Sequence, residues 1–107
     1  MVTISRFSIW QVNLNPTRGS EQAGYRPAVV VSPDEMNRHL GTVIVAPLTT
    51  RIRSWPSRVG IRHSGRKGEV ALDQIRSIDK ARLAKAMGSL DGTYHAAVLE
   101  TLQEMFA

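Results

Sequence analysis

The stretch Ile9–Ser32, IWQVNLNPTRGSEQAGYRPAVVVS, sets the fold because it holds two strand patterns separated by an unusual loop. Apolar and polar side chains alternate over Ile9–Leu14, which predicts a half-buried strand. The run Pro27–Ser32 is almost entirely apolar and predicts a strand buried on both faces. The loop Asn15–Pro27 contains a glutamate and two arginines beside its turn-forming residues. A connecting role alone does not explain those charges.

Further strand patterns follow along the chain. The apolar run Thr42–Leu48 predicts a third strand, and the alternation over Arg58–His63 predicts a fourth with one charged face. The segment Ser64–Gly68 has the composition of a turn. Strand character resumes over Glu69–Asp79, where the alternation breaks near Asp73 and predicts a β-bulge.

A short helix is predicted after the second strand. Ser32 is the expected N-cap, Pro33 occupies the first helical position, and Glu35 completes a capping box. Gly41 marks the limit of this helix.

A longer helix is predicted at the C-terminal end, with Asp91 as its cap. Its apolar face consists of residues at helical spacing: Tyr94, Ala97, Val98, Thr101, Leu102, Met105 and Phe106. The elements together favour a mainly β (α+β) fold, in which a small curled sheet or barrel carries a short inserted helix and a C-terminal helix. We expect one domain over residues 1–107.

Composition excludes several classes of protein. The 107 residues are 42% hydrophobic and 21% charged, which is ordinary for a folded globular domain. The chain has no cysteine, and therefore no disulfide framework, thiolate metal site or cysteine nucleophile. Its three histidines lack the spacing of metal ligands. With no signal-peptide pattern and no apolar run of about 20 residues, we expect a soluble, cytoplasmic protein that does not enter membranes.

The charge distribution indicates a nucleic-acid partner. The net charge is +5, and no acidic residue occurs between Glu35 and Glu69. A solvated basic face is the alternative, but clustered charge of one sign favours nucleic acid. Arginine, which suits phosphate, predominates in this interval, whose basic residues are Arg38, Arg51, Arg53, Arg58, Arg62, Arg66 and Lys67.

Three separated motifs carry a family resemblance. They are IWQVNLNPTRGSEQAGYRPAVVVSPDEMN from Ile9, VIVAPLTTR from Val43 and LDQIRSIDKARL from Leu72. In this order they resemble the MazF/PemK family of toxin endoribonucleases, over about Ile9 to Leu90. The chain departs from the family at Phe7 and Ser8, where a Gly-Asp pair is usual.

This resemblance implies an SH3-like barrel with attached helices, the MazF/CcdB-like toxin fold, acting as a homodimer. It implies sequence-specific, metal-independent cleavage of single-stranded messenger RNA without a cofactor, which inhibits translation and growth. It also implies that LAKAMGSL, Leu83–Leu90, is a strand. Residue propensities favour a helix for this segment. We follow the resemblance and predict a strand.

RNA carries its own nucleophile, the 2′-OH beside the scissile phosphate. An enzyme must deprotonate it, stabilise the charge that develops on the phosphorane and protonate the leaving 5′-oxygen. The resemblance places Arg26 and Thr49 in the active site, and a guanidinium and a hydroxyl suit the phosphate oxygens. Glu21 is a candidate base, or a residue that holds Arg26. From the residues alone, an Arg26–Glu21 ion pair and an ordinary strand-end hydroxyl at Thr49 are the alternatives.

Other polar residues are candidates for RNA binding. The segment TTRIRSWP, residues 49–56, is a basic loop. Its Trp55 either stacks on a base or packs beneath the loop. The loop residues Arg18 and Gln22 are expected to contact nucleotides, and Arg51 and Arg53 to extend a track for phosphates. Where the family has RNA-facing residues, this chain has Asp73, Gln74 and Arg76.

The family also implies a cognate antitoxin. A basic groove that attracts RNA also attracts an acidic, flexible segment, which would compete with RNA. The toxin–antitoxin complex is further expected to bind its own operator DNA. The rival hypothesis is a non-catalytic nucleic-acid-binding barrel, or a gyrase poison like CcdB. The C-terminal Met105-Phe106-Ala107 counts against the gyrase poison, which uses Trp-Gly-Ile at its end.

Overall fold

Strands dominate the structure, a computed structural model that describes residues 3–15, 19–20 and 24–107. The strands of this part of the chain are β1 Ser8–Asn13, β2 Tyr25–Val30, β3 Thr42–Thr49, β4 Arg58–His63, β5 Arg66–Ala71, β6 Arg76–Asp79 and β7 Leu83–Ser89. Its α-helices are α1 Asp34–His39 and α2 His95–Met105, and its 3-10 turns are Leu72–Gln74, Lys80–Arg82 and Gly92–Tyr94. No helix in these ranges is long and apolar enough to cross a membrane.

The sheet is antiparallel and curls around β3. Its strand order is β4-β5-β3-β2-β1-β7, and β6 also pairs with β3. The first half of β3 pairs with β6, where Thr42 lies opposite Asp79. Its last residues pair with β5, where Leu48 lies opposite Val70. One strand thus belongs to two ladders on the same side, which confirms the prediction of a mainly β, curled sheet.

Two apolar cores lie on opposite sides of the first strands. Trp10 and Val12 of β1 belong to one core together with Leu14, as the alternation predicts. Ile9 belongs to the other, and Val29 of β2 packs there too. Full burial of each such aliphatic side chain contributes roughly 1.5–3 kcal/mol. The N-terminal strands are therefore fixed from both sides.

The predicted capping box at the start of α1 is wrong. The N-cap is Pro33, and it has no side-chain cap hydrogen bond. The buried Ser32 hydroxyl instead donates to Asn37 Oδ1 at 2.5 Å and accepts the amide of Ile44 at 3.0 Å. Glu35 pairs with Arg38 at 2.7 Å. A partly buried strand amide needs a partner, and that tertiary demand takes the hydroxyl that local sequence assigns to the helix.

The predicted bulge near Asp73 is also wrong, although the pattern does break there. The 3-10 turn Leu72–Gln74 separates β5 from β6. Because these strands pair with different halves of β3, the chain needs a full turn between them. The strand predicted at LAKAMGSL is confirmed as β7, Leu83–Ser89, whose neighbour is β1.

The C-terminal helix packs on the core over its first two turns only. Val98 is buried, and Leu99 and Leu102 pack beside it. Asp91 caps the 3-10 turn that leads into the helix, accepting the amide of Thr93 at 2.9 Å. The predicted face is wrong at its end, because Phe106 is 71% exposed. Periodicity gives the direction of an apolar face but not the point where the core beneath it stops.

Candidate active site

A cleft of about 460 Å³ opens at the end of β3, beside the loop that follows this strand. Four of its residues, Thr49, Arg51, Arg53 and Gln74, are site residues predicted from the sequence, and a fifth, Trp55, is the candidate for stacking. The described residues that line it are Ser20, Thr49, Arg51, Arg53, Trp55, Arg58 and Gln74.

Arg26 lies on β2, next to the strand that ends at Thr49. Arg26 is half-buried. On the side of β2 away from β3, it pairs with Val12 of β1. The β2–β3 register sets Ala28 opposite Pro47 and Val29 opposite Ala46. Arg26 and Thr49 lie two positions beyond the last of these pairs, at the same end of the two strands. Because side chains alternate along a strand, Arg26 points to the same face as Ala28, and Thr49 to the same face as Pro47. The two side chains therefore share one face of the sheet at the end of neighbouring strands.

Thr49 is buried, with 7% of its surface exposed. Its hydroxyl oxygen accepts the amide of Arg51 at 3.1 Å. Within the described residues, the hydroxyl proton has no acceptor. A hydroxyl that has accepted one bond can still donate another, so Thr49 can donate to a phosphate oxygen in the cleft.

The backbone of Thr49 is itself held at close range by β5. A Cβ built on Gly68 would lie 2.7 Å from the Thr49 carbonyl oxygen. Only a residue without a side chain allows this approach. Gly68 therefore allows β5 to approach the backbone of Thr49 closely, which fixes the position of the residue that carries the hydroxyl.

Replacing Gly68 by alanine is expected to displace Thr49 and to lower the free energy of unfolding by about 1–3 kcal/mol, the usual cost of overpacking. Urea unfolding measures the loss. Gly60→Ala is the matched control, because a Cβ at Gly60 meets no heavy atom within 4 Å. Equal stability of the two variants would contradict the close approach.

Glu69 anchors the basic loop. Its carboxylate accepts the amide of Arg53 at 3.0 Å and that of Ser54 at 2.9 Å. The side chain is 4% exposed and also pairs with Arg58 at 3.4 Å. Burial disfavours the charged carboxylate, but the two amides and the guanidinium outweigh burial and hold the pKa of Glu69 below its ordinary value.

Arg58 joins two carboxylates beneath the cleft. Its Nε donates to Asp73 Oδ1 at 2.6 Å, and its side chain is 6% exposed. The hydrogen bond to Asp73 raises the pKa of Arg58. Burial disfavours the charged form of Asp73, yet the bonds from Arg58 and Ser57 lower its pKa. Since Glu69 and Asp73 balance Arg58, the exposed positive charge of this wall comes from Arg51 and Arg53.

Acid is expected to weaken the fold through Glu69. Its folded pKa lies below the unfolded value of about 4.3. The carboxylate thus contributes stability that is present above that pH and lost as the pH falls through the folded pKa. Glu69→Gln should be less stable than the parent protein near neutral pH, by a margin that shrinks below about pH 4. Urea unfolding across this range tests it, and a margin independent of pH would contradict it.

The remaining RNA-binding candidates have defined surroundings. Asp73 is engaged by Arg58, as above, while Gln74 lines the cleft. Arg76 donates to the carbonyl of Leu14 at 3.0 Å. Arg82, which the sequence analysis did not select, donates to the carbonyl of Asn13 at 3.1 Å. Both arginines therefore hold the end of β1, where the charged loop begins.

Three candidates, Arg18, Glu21 and Gln22, lie outside the described residues. In the part of the chain that is described, no three His, Cys, Asp or Glu side chains come together as a metal site requires.

The fold and cleft have counterparts among known proteins. Residues 5–106 match the family described as PemK-like, MazF-like toxin of type II toxin–antitoxin system. The chain is 42% identical over 83 residues to the endoribonuclease toxin MazF of Escherichia coli K12, a match that covers 77% of this chain and 74% of that protein.

Solved structures agree with this match. The crystal structure of MazF (Form I) from Deinococcus radiodurans superposes with a TM-score of 0.86 and 29% identity, covering 99% of this chain and 98% of that one. An endoribonuclease from Mycobacterial species, solved in complex with its cognate antitoxin, gives 0.81 at 24% identity, covering 95% and 93%. That second likeness concerns the fold alone.

The family match and the Escherichia coli relative place this curled sheet with its C-terminal helix in the class of small endoribonuclease toxins. The chain belongs to the PemK-like, MazF-like toxin family of type II toxin–antitoxin systems.

Proposed function

We propose that this toxin cuts single-stranded messenger RNA in the cytoplasm without a metal ion, by attack of the substrate's own 2′-OH on the adjacent phosphorus. The observation that carries the proposal is that Arg26 of β2 and Thr49 of β3 lie at the same end of neighbouring strands, and that Thr49 lines an arginine-rich cleft there. A guanidinium and a hydroxyl aimed at one phosphate supply the charge stabilisation that the reaction needs.

In this reaction the 2′-oxygen forms a bond to phosphorus while the bond from phosphorus to the 5′-oxygen breaks. The 2′-OH proton goes to a general base, and a general acid protonates the 5′-oxygen. The products are a 2′,3′-cyclic phosphate and a 5′-hydroxyl. Arg26 neutralises the charge that develops on the phosphorane, and Thr49 donates to one of its oxygens. Glu21 is our candidate for the base.

The rest of the cleft wall suits the RNA on either side of the cut. Arg51 and Arg53 are exposed and carry positive charge that no neighbouring carboxylate balances through a salt bridge in the described residues. They fit phosphates of the backbone. Gln74 offers an amide that can pair with a base edge.

A long single-stranded RNA, incubated with the protein in excess EDTA, tests the proposal. We expect discrete fragments with 2′,3′-cyclic phosphate ends. Binding without cleavage would instead support the rival hypothesis of a non-catalytic nucleic-acid-binding barrel. Cleavage that EDTA abolishes and Mg²⁺ restores would refute the metal-free mechanism.

We further propose that an antitoxin neutralises this toxin through an acidic, flexible segment. The family is one of toxin–antitoxin systems, and the exposed guanidinium groups of Arg51 and Arg53 complement acidic side chains. Such a segment would order along the cleft and block RNA directly.

The affinity of this antitoxin is therefore expected to fall as salt concentration rises, and the antitoxin should displace RNA from the toxin. A competition titration with labelled RNA at several salt concentrations measures both effects. A neutralising partner that is basic, or that leaves RNA bound at saturation, would contradict this mechanism.

The assembled state is a further part of the proposal. We propose that the toxin works as a homodimer and that its complex with the antitoxin binds its own operator DNA. Sedimentation of the purified toxin tests the dimer, and a gel-shift assay with the upstream DNA tests the operator complex.

A further inference from the structure

Trp55 is a large aromatic residue left exposed at the cleft. It is 48% exposed, whereas Trp10, the other tryptophan, is 8% exposed and belongs to a core. Trp55 belongs to neither apolar core. It lines the same cleft as Thr49. Packing beneath the loop therefore does not account for this side chain.

Two guanidinium groups contact the indole ring. Arg58 Cζ lies 4.8 Å from the ring centroid and Arg53 Cζ lies 5.6 Å from it, both within cation–π range. The side chain of Arg58 is buried, whereas Arg53 is exposed. The ring is thus contacted by one guanidinium from a buried side chain and by a second from an exposed one.

The loop is held in a conformation that it would not adopt without support. Ser54, the residue before Trp55, has a φ of 56°, which lies in the left-handed region and costs free energy for a residue with a side chain. The amide of Ser54 donates to Glu69. Strain of this kind persists where surrounding contacts fix it, as they do at binding sites.

We propose that Trp55 is a stacking subsite for the nucleobase next to the scissile phosphate, and that Glu69 is the positioning residue that builds it. Glu69 accepts hydrogen bonds from the loop amides that precede Trp55 and from Arg58, which contacts the ring. It therefore holds both the backbone and a side chain that position Trp55. The proposal rests on the proposed function, since RNA is the ligand. Stacking on an aromatic ring tolerates any base, and an adjacent guanidinium strengthens it.

The test separates stacking from charge by means of two probes. One is a short single-stranded 2′-O-methyl RNA of mixed sequence, which lacks the nucleophile of the proposed cleavage. The other is an abasic sugar–phosphate chain of the same length and charge. Trp55→Ala should weaken binding of the first roughly 5- to 100-fold and leave binding of the second nearly unchanged. Trp55→Phe, which keeps an aromatic face, should recover most of the loss.

Tryptophan fluorescence gives an independent readout. The 2′-O-methyl RNA should quench the emission of the parent protein, and the abasic chain should not. In Trp55→Phe, which retains Trp10, the RNA should still bind but the quenching should disappear. Failure of the parent to bind the RNA, equal losses for both probes, or unchanged RNA binding in Trp55→Ala would each overturn the subsite.

The role of Glu69 is tested in the same assay. Glu69→Gln should lose the base-dependent part of the affinity only, and adding Trp55→Ala should cause little further loss, since coupled residues are non-additive. Asp73→Asn, which releases Arg58 from its other carboxylate, should show a smaller loss of the same kind. Additive losses would overturn the positioning role. Because neither probe is cut, a protein that stacks bases but cleaves no RNA would refute the proposed function and leave the subsite standing.

Discussion

Replacing Arg26 by alanine is expected to slow RNA cleavage by about two to three orders of magnitude, the usual effect of removing one donor to a developing oxyanion. The guanidinium belongs to β2, at the end of the sheet where the neighbouring strand β3 ends in Thr49. The fold should persist, because Arg26 belongs to neither apolar core. Initial rates on a single-site RNA, measured with saturating enzyme, report the loss.

Arg62→Ala is the matched control, since it removes the same charge from an exposed residue that is absent from the cleft lining. It should cleave at close to the parent rate. Thr49→Ala should lose activity as Arg26→Ala does, with a smaller effect because a neutral donor is removed. Normal cleavage by a folded Arg26→Ala protein would overturn the assignment of the active site.

The fold was largely predictable because its strands have strong local patterns. The alternation over Ile9–Leu14 corresponds to β1, and the apolar run Pro27–Ser32 overlaps β2, which begins two residues earlier at Tyr25. The failures are cases where a tertiary contact overrides a local one. Ser32 looks like a helix cap, but its hydroxyl serves the β3 amide of Ile44. The residues of the strand Leu83–Ser89 have helix propensity, so this strand is predicted only by the family resemblance.

The sequence predicts residues that line the cleft but not the residues that support it. Thr49, Arg51 and Arg53, which the sequence predicts as site residues, line the cleft, while the support beneath them was missed. From the sequence, Arg58 is one more basic residue of the interval, yet in the structure two carboxylates bind it. One signal was available for Glu69, which is the acidic residue that ends a long acid-free interval. Sequence spacing does not reveal that its carboxylate meets loop amides at Arg53 and Ser54.

This support changes how the basic interval should be read. Composition alone would assign every arginine in this interval to a nucleic-acid-binding surface. A buried and paired guanidinium, however, attracts phosphate weakly. Arg58 contributes by holding the shape of the loop, and Arg51 and Arg53 contribute charge. The clustered arginines of this interval thus have two roles: Arg58 stabilises the structure, and Arg51 and Arg53 are available to bind nucleic acid.

A single 2′-deoxyribose on the 5′ side of the cut bond is expected to abolish cleavage at that position. The proposed reaction has no other nucleophile positioned on the scissile phosphorus, so removing the 2′-OH removes the reacting atom and not merely a binding contact. Sequencing the ends of fragments from a long RNA first locates the cut. Synthetic substrates of that sequence, all ribose or with one deoxyribose, then measure the effect.

The matched control substrate carries its deoxyribose on the 3′ side of the cut. Its 2′-OH takes no part in the attack, so this RNA should be cut at close to the rate of the all-ribose substrate. Both deoxy substrates should bind with similar affinity, because the phosphates and bases that Arg51, Arg53 and Trp55 would contact are unchanged. Cleavage of the 5′-side deoxy substrate would show that water or a protein group attacks the phosphorus. The fragments would then carry a 3′-phosphate if the 5′-oxygen leaves, or a 5′-phosphate if the 3′-oxygen leaves, with no cyclic form in either case. Arg26 and Thr49 would then serve a different reaction.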